Sequence, residues 1–132
     1  MSDTPTRAEQ VQKIAELIKD IRFSTLTTVD ADGGLWSRPM ASQAESFDGT
    51  LFYFTKSDSE KVDQIARNPN VSVAFSDPDA NNWVMMAGTA SVHDDREKIA
   101  ELWSEPMRTW FPDGEDDPNL RVLRVDTHRA EY

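Results

Sequence analysis

The chain has 132 residues and no cysteine, and its 24 acidic and 14 basic side chains give a formal charge of −10. This length predicts a single domain over residues 1–132 with a substantial core and a flexible tail over residues 1–5. Lack of cysteine excludes disulfides, thiolate metal sites and cysteine nucleophiles, and favours a cytoplasmic location. The negative charge and the lack of a long apolar run argue against nucleic-acid and membrane partners. Any phosphate-bearing ligand must therefore be held by locally placed basic residues.

The first predicted element is an amphipathic helix over residues 7–20. Thr6 and Glu9 have the spacing of a capping box, which satisfies free amides at a helix start. Apolar residues follow at intervals of three and four, so we expect one face of this helix to pack on the core.

The pattern then changes to strands. Residues 23–29 are rich in β-branched and aromatic side chains, and the turn after them predicts a hairpin to a second strand over residues 35–43. Pro39 lacks a backbone donor, so the second strand should lie at a sheet edge or contain a bulge. A turn over residues 47–50 predicts that the third strand, residues 51–55, is the hairpin neighbour of the second.

A helix is expected soon after the third strand. Ser57 is its predicted N-cap, with Glu60 completing a capping box. Lys61 then lies in the first turn, where a cation opposes the helix dipole by roughly 0.3–1 kcal/mol. An anion held at this helix start would explain the position. An ordinary strand–turn–helix with a solvated lysine is the alternative.

Three more strands and a third helix complete the predicted fold. Strands are expected over residues 71–75, 83–92 and 120–125, with a bulge or a close backbone approach at Gly88. Asp94 is the predicted N-cap of the third helix. The expected fold is mainly β, of the α+β class: a small six-stranded antiparallel β-barrel with flanking helices.

The common catalytic and metal motifs are missing from the sequence. It contains no Walker loop, nucleophile elbow or glycine-rich dinucleotide fingerprint. His93 and His128 lack ligand spacing, and the acidic residues 113–117 lack the pattern of a calcium loop, so no metal site is expected. No catalytic acid, base or nucleophile is marked by the sequence.

One group of polar residues could instead form an anion site. Arg38 lies on the second strand, Thr55 ends the third, and Ser59 and Lys61 lie at the following helix start. If the two strands are hairpin neighbours, these side chains can form an anion cradle, with the aromatic residues 52–54 beside it as a wall for a flat ring. The alternative is that Arg38 is a strand-surface residue paired with one of the many carboxylates.

Several short motifs occur in a fixed order along the chain. They are Arg38-Pro39-Met40, Leu51-Phe52-Tyr53-Phe54-Thr55, Ser59-Glu60-Lys61 and Asn68-Pro69-Asn70-Val71. This order resembles that of the pyridoxamine 5′-phosphate oxidase-like, FMN-binding split-barrel proteins. The downstream segment is similar to the general stress protein subgroup of that superfamily, through residues 84–90, Leu102-Trp103, Trp110-Phe111-Pro112 and Asp116-Asp117-Pro118. The resemblance runs from about residue 23 to residue 132.

The resemblance implies a split β-barrel that forms a homodimer, with FMN in clefts at the subunit interface. By position, Arg38 and Lys61 would bind the FMN phosphate, and Ser59 would supply a hydroxyl donor. Backbone groups of one set of residues would run along the flavin edge: Arg38, Pro39, Met40, Phe54 and Thr55.

Two residues depart from the oxidase pattern. Trp83 stands where the oxidases have a glutamine that meets the isoalloxazine, and Glu60 stands where they have a basic residue, which should weaken phosphate binding. The basic residues with which the oxidases hold their pyridoxine phosphate substrate have no clear counterpart, so pyridoxamine phosphate oxidation itself is not implied. Trp103 and Trp110 either cover the flavin from the partner subunit or are core or interface aromatics.

The leading hypothesis is an FMN-binding protein of the general stress type that uses the flavin for oxidoreductase chemistry on a small-molecule substrate. Two alternatives stay open. One is a non-enzymatic binder or sensor of flavin or of the deazaflavin F420. The other is a cofactor-free acidic protein-interaction module.

Overall fold

A computed structural model describes residues 4–42 and 47–132 as a six-stranded antiparallel sheet with three α-helices. The strands are β1 (Phe23–Val29), β2 (Leu35–Ala41), β3 (Thr50–Lys56), β4 (Asn70–Asp77), β5 (Asn82–His93) and β6 (Leu120–Glu131). The helices are α1 (Arg7–Ile18), α2 (Glu60–Arg67), α3 (Arg96–Leu102) and a short 3-10 helix, Glu105–Thr109. The expected mainly β, α+β class is confirmed. Residues 1–3 of the predicted tail and residue 43 of the predicted second strand lie outside the described residues.

The six strands form one sheet in the order β2-β1-β4-β5-β6-β3. The sheet curls until its two edge strands, β2 and β3, contact each other, and this confirms the predicted split barrel. The position of Pro39 in an edge strand agrees with its missing backbone donor.

The prediction that β2 and β3 are hairpin neighbours is wrong. β3 pairs along its whole length with β6, so that Leu51 lies opposite Val125 and Tyr53 opposite Leu123. This pairing joins two apolar strands that are both buried, which a hairpin between β3 and the largely exposed β2 would not do. β2 and β3 approach only because the sheet curls.

The core lies inside the curl of the sheet. Inward residues of all six strands are buried there, β2 contributing Met40 alone, and the inner face of α1 packs on them through Ile14 and Ile18. A second apolar cluster lies beneath α3 and the 3-10 helix: Phe54, Ile99, Met107, Leu120 and Val122. Each fully buried side chain of this size contributes roughly 1.5–3 kcal/mol, so the two clusters hold the barrel and the segment after α3 together.

The helix starts follow their local hydrogen bonds. Thr6 caps α1 as predicted and accepts a hydrogen bond from the Glu9 amide. α3 begins one residue later than predicted, because Asp95 accepts from the Lys98 amide while Asp94 pairs with Arg96. None of the helices in the described part of the chain combines the length and the apolar character that crossing a bilayer requires.

Gly88 lies at a break in the β5–β6 register. A bulge separates Ala87 from Gly88, and a Cβ at Gly88 would overlap the carbonyl oxygen of Asp126. The predicted bulge or close approach is therefore confirmed, and the missing side chain is what allows the two backbones to meet.

Replacing Gly88 with alanine is expected to destabilise the fold by about 1–3 kcal/mol, because the backbone of β5 or β6 must shift to admit the new methyl group. Urea unfolding followed by circular dichroism measures the change. Gly34→Ala is the matched control, since a Cβ there meets only the end of the Asp30 side chain in an exposed turn. Equal stability of both variants would contradict the close approach at Gly88.

Candidate functional site

A cleft of about 300 Å³ lies where the split barrel opens between β2 and β3. Polar and apolar residues line opposite parts of it. The polar part is Thr55, Lys56, Ser59 and Lys61, and the apolar part is Phe23, Pro39, Met40, Ala41, Phe54, Met107, Trp110 and Phe111. This volume is at the lower end of the range for small-molecule pockets. A ligand seated here would contact both edges of the sheet.

Lys61 forms the polar end of the cleft. Its ammonium group donates hydrogen bonds to Ser59 Oγ at 2.7 Å and to Thr55 Oγ1 at 3.2 Å. Burial lowers the pKa of Lys61 from its usual value, and the nearby charge of Arg38 lowers it further. An anion at this position would favour the charged ammonium form.

Arg38 lies just beyond Lys61, on the inner side of β2. Its guanidinium donates to Thr28 Oγ1 at 2.7 Å, to Gln64 Oε1 at 3.1 Å and weakly to the Leu26 carbonyl at 3.4 Å. Burial lowers the pKa of Arg38, and the negative charge of Glu60 acts in the opposite direction. An arginine stays charged in proteins, so a second half-buried cation lies close enough to lower the pKa of Lys61, although Arg38 itself does not line the cleft.

Neither cation has an acidic partner in the part of the chain that the structure describes. Within residues 4–42 and 47–132, no carboxylate oxygen lies within 4.0 Å of the charged nitrogens of Arg38 or Lys61. Seven other basic side chains have such partners, and the remaining five are exposed to solvent, unlike Arg38 and Lys61. The seven are Lys56, Arg96, Lys98, Arg108, Arg121, Arg124 and Arg129. Two half-buried like charges repel each other, so their arrangement indicates an anion that these described segments do not supply. Among the residues that the structure describes, Arg38 is not paired with a carboxylate, so the alternative interpretation finds no support in them.

The prediction of Ser57 as the N-cap of α2 is wrong. The helix begins at Glu60 with Ser59 as its N-cap, and the Ser59 side chain makes no capping hydrogen bond because it accepts from Lys61. Ser57 instead donates its backbone N–H to the Asn119 carbonyl at 2.8 Å, which ties the end of β3 to the start of β6. No side-chain cap therefore competes with an external anion for the first amides of α2.

The aromatic wall of the cleft comes from the segment after α3. Trp110 is 47% exposed and meets the Phe23 ring edge-to-face at 5.6 Å. Trp103 packs against Phe54 at 5.7 Å and is not part of the wall. Trp103 is therefore a core aromatic, which was one of the two expectations for these tryptophans. Trp110 lines the cleft of its own chain.

An ion pair fixes the far end of this segment. Lys56 at the end of β3 is paired with Asp117, which is only 5% exposed, and Arg96 donates to the carbonyls of Asp117, Pro118 and Leu120. The hydrogen bond from Lys56 lowers the pKa of Asp117, and the same bond raises the pKa of Lys56. These contacts hold the wall against the barrel.

The Asp117→Asn variant is expected to have a lower Tm than wild type at pH 7, because it leaves the Lys56 ammonium without its anionic partner. A carboxyl with a lowered folded pKa stabilises the fold above its usual value of 3.8 and loses this contribution as pH falls through the folded value. The Tm difference should therefore shrink as pH falls below 3.8 and through the lowered folded pKa, in thermal melts at a series of pH values from 7 downward. Asp113→Asn is the control, since Asp113 is exposed and lies 3.9 Å from Lys56. A difference that persists unchanged at low pH would contradict the role of the ion pair.

Comparison with known proteins decides the family. Residues 9–132 match the family described as pyridoxamine 5′-phosphate oxidase like. The chain belongs to this family. The resemblance seen in the sequence motifs is confirmed. This oxidase-like chain is 29% identical over 118 residues to general stress protein 26 of Bacillus subtilis, covering 87% of this chain and 81% of that protein.

A second curated relative is the protein bli-3 of Neurospora crassa, which is 28% identical over 134 residues. The match covers 94% of this chain but only 64% of bli-3. Among solved structures, general stress protein 26 of Bacillus anthracis superposes with a TM-score of 0.81 at 26% identity, covering 93% of this chain and 92% of that one. A general stress FMN/FAD binding protein of Xanthomonas citri gives a TM-score of 0.77 at 27% identity, covering 92% and 85%.

Trp83 is the predicted site residue that this oxidase-like fold separates from its own cleft. It is 45% exposed at the start of β5, opposite Ser76 on the outer face of the sheet. The structure gathers the others at or beside the cleft: Arg38, Pro39, Met40, Phe54, Thr55, Ser59 and Lys61.

The sequence reasoning missed two residues beside Arg38. Thr28 and Gln64 are buried polar side chains that receive the guanidinium. A signal existed for Gln64, because it precedes Ile65 on the inward side of a short helix, where an apolar residue is expected. Within the described residues, no group of three histidine, aspartate or glutamate side chains is arranged to hold a metal ion.

Proposed function

We propose that this protein binds FMN in the cleft between β2 and β3, with the phosphate at Arg38, Lys61 and Ser59. The observation that carries the proposal is the pair of half-buried cations that lack a carboxylate partner in the described chain. A phosphate would supply the missing negative charge, and the uncapped start of α2 would add backbone donors.

The rest of the cleft suits the flavin ring. Trp110, Phe23 and Met107 offer an apolar wall for a flat ring system. β2 is an edge strand, so backbone groups near Pro39 and Met40 are free of a second strand on that side. Together with Phe54 and Thr55 at the end of β3, they can meet the polar edge of the isoalloxazine.

We also infer that the protein is a homodimer with the cofactor at the subunit interface. Across β2, β1, residues 72–76 of β4 and residues 83–87 of β5, the outward side chains are all uncharged, although 29% of the residues in the chain are charged. They are Leu35, Ser37, Pro39, Ala41, Phe23, Thr25, Thr27, Val29, Ser72, Ala74, Ser76, Trp83, Met85 and Ala87. We call this set the uncharged outer face. Such a large uncharged surface is typical of a buried interface.

The proposed dimer would also explain why a residue as large and apolar as Trp83 is exposed in the single chain. This residue belongs to the uncharged outer face and is absent from the cleft lining of its own chain, so we infer that it meets the flavin of the partner subunit across the interface. In the proposed assembly, Trp83 of the partner subunit covers the open side of the cleft. That would complete a pocket whose volume in one chain is small for a flavin.

When bound, the flavin supplies the redox chemistry, which we propose acts on a small-molecule substrate; the protein binds the flavin, orients it and shields it from water. Lys61 and Arg38 hold the charged end, and Trp110 borders the exposed side of the ring site. The cysteine-free composition supports the expected cytoplasmic location.

A second candidate function is a non-enzymatic binder or sensor of flavin or F420. The observation in its favour is that the described residues of the apolar part of the cleft include no titratable side chain that could move a proton. The acidic interaction module without cofactor is the least supported function, because it does not explain why Arg38 and Lys61 are half-buried without a carboxylate partner among the described residues.

Purification under native conditions and denaturation of the product test these functions. A yellow chromophore that is released on denaturation, and that FMN restores, supports the proposal. A colourless protein that neither FMN nor F420 reconstitutes would leave only the interaction module. Reduction of the bound flavin by NADPH, followed by turnover with an electron acceptor, separates the oxidoreductase from the passive binder.

A further inference from the structure

Two buried polar side chains fix the orientation of Arg38. Thr28 is fully buried and Gln64 is 4% exposed. Arg38 donates from Nη1 to Thr28 Oγ1 at 2.7 Å and from Nη2 to Gln64 Oε1 at 3.1 Å. The Thr28 hydroxyl donates in turn to Gln64 Oε1 at 2.5 Å. The three side chains form a closed triangle between β1, β2 and α2.

The triangle uses only one edge of the guanidinium. Its five N–H groups lie in one plane, and the bonds to Thr28 and Gln64 use the terminal edge between Nη1 and Nη2. Nη1 also donates weakly to the Leu26 carbonyl at 3.4 Å. The Nε–H and the second Nη2–H form the other edge, and neither has a partner among the residues that the structure describes. This parallel pair of donors matches two oxygens of one phosphate group.

Burying the two polar groups needs a reason. An amide and a hydroxyl in an apolar interior cost free energy unless they are hydrogen-bonded, and an apolar pair of similar shape would serve packing at least as well. Ile65, the neighbour of Gln64 on α2, shows that this side of the helix already packs on the core. The hydrogen bonds of Thr28 and Gln64 to Arg38 give that reason, because they stabilise the charged guanidinium in one orientation.

We propose that Thr28 and Gln64 are positioning residues that hold the Nε–Nη2 edge of Arg38 toward the phosphate, so that the site selects phosphorylated over unphosphorylated flavin. This inference rests on the proposed function. Lys61 would take the remaining phosphate oxygen from the other side. Arg38 supplies the positive charge of the site, and its hydrogen bonds to Thr28 and Gln64 fix the orientation of the guanidinium.

The test compares FMN with riboflavin, which lacks the phosphate, in fluorescence titrations of wild type, Gln64→Leu, Thr28→Val and Thr28→Ser. Thr28→Val and Gln64→Leu should each raise the Kd for FMN about tenfold or more, as expected for one lost hydrogen bond to a charged group. The Kd for riboflavin should change less than about twofold, since no residue of the triangle lines the cleft proposed for the flavin ring. Thr28→Ser keeps the hydroxyl and should preserve the preference for FMN. Gln12→Leu, at an exposed position of α1, is the control.

A second readout does not depend on flavin. The Nε–H signal of Arg38 in a ¹⁵N spectrum, assigned by its loss in Arg38→Lys, should shift when inorganic phosphate is added to wild type and Thr28→Ser. The shift should be much smaller in Gln64→Leu and Thr28→Val, with circular dichroism melts checking that each variant is folded.

Equal weakening of FMN and riboflavin in the variants would overturn the inference, because a merely structural role affects both ligands. An unchanged preference for FMN in Gln64→Leu would also overturn it, as would an Arg38 signal that phosphate does not move in wild type. If wild type fails to bind FMN but phosphate shifts the Arg38 signal in the expected pattern, the flavin proposal fails and the positioning role stands.

Discussion

Replacing Lys61 with methionine is expected to weaken FMN binding about 10- to 100-fold without loss of fold. The ammonium of Lys61 lies between Ser59 and Thr55 at the polar end of the cleft. Its removal takes one charge-assisted hydrogen bond from the phosphate, and such a bond is worth roughly 1.5–3 kcal/mol. Isothermal titration with FMN measures the loss. Because burial and Arg38 both oppose the charge on Lys61, the Tm of the ligand-free variant should equal or exceed that of wild type.

The pH dependence gives an independent check on Lys61. Its lowered pKa means that, without ligand, the ammonium loses its proton at a pH below the usual 10.5. FMN affinity of wild type should therefore fall as pH rises through that lowered value, and the Lys61→Met variant should lack this step. Lys13→Met, on the exposed side of α1, is the control and should bind FMN as wild type does. Wild-type affinity in Lys61→Met would rule out Lys61 as a phosphate ligand.

If the protein forms the proposed dimer, replacing Ala74 with glutamate is expected to convert that dimer to monomers and to release the proposed flavin with it. Ala74 lies in the middle of the uncharged outer face, between Thr25 and Met85. A carboxylate buried there without a partner costs several kcal/mol, and two-fold symmetry introduces it twice. The dimer dissociation constant should rise on the order of a hundredfold or more, which sedimentation velocity over a range of protein concentrations measures.

A matched substitution separates the interface effect from added charge. Ala100→Glu places the same side chain on the exposed surface of α3 and should leave both the dimer and the flavin content unchanged. An Ala74→Glu protein that stays dimeric would place the interface elsewhere. Monomeric Ala74→Glu that still holds FMN at wild-type affinity would show that Trp83 of the partner subunit is not needed by the site.

The fold class and much of the cleft could be predicted because they depend on local signals. Lys61, in the first turn of α2, indicated the polar end of the cleft. Pro39 indicated an edge strand, and Gly88 indicated the bulge in β5. The pairing of β2 with β3 failed because a short turn predicts a hairpin only when no better partner exists. The better partner, β6, comes more than sixty residues later in the chain.

Side-chain networks were the least predictable part of the site. Thr28 and Gln64 stand 36 positions apart, and nothing local shows that they meet around Arg38. Ser57 has the spacing of an N-cap, but its contact with Asn119 depends on how β6 passes the end of β3. Trp83 has a place in the motif order, yet only the curled sheet reveals that it faces away from its own cleft.

The order of the strands has a mechanical consequence. Between β2 and β3 the barrel wall is joined by side-chain contacts rather than by a ladder of backbone hydrogen bonds. A ligand held by Arg38 on one side of this seam and by Thr55, Ser59 and Lys61 on the other would act as a removable cross-link. Loading the cofactor would then slow amide hydrogen exchange first along the two outermost strands, while the four inner strands, already paired on both sides, would change little.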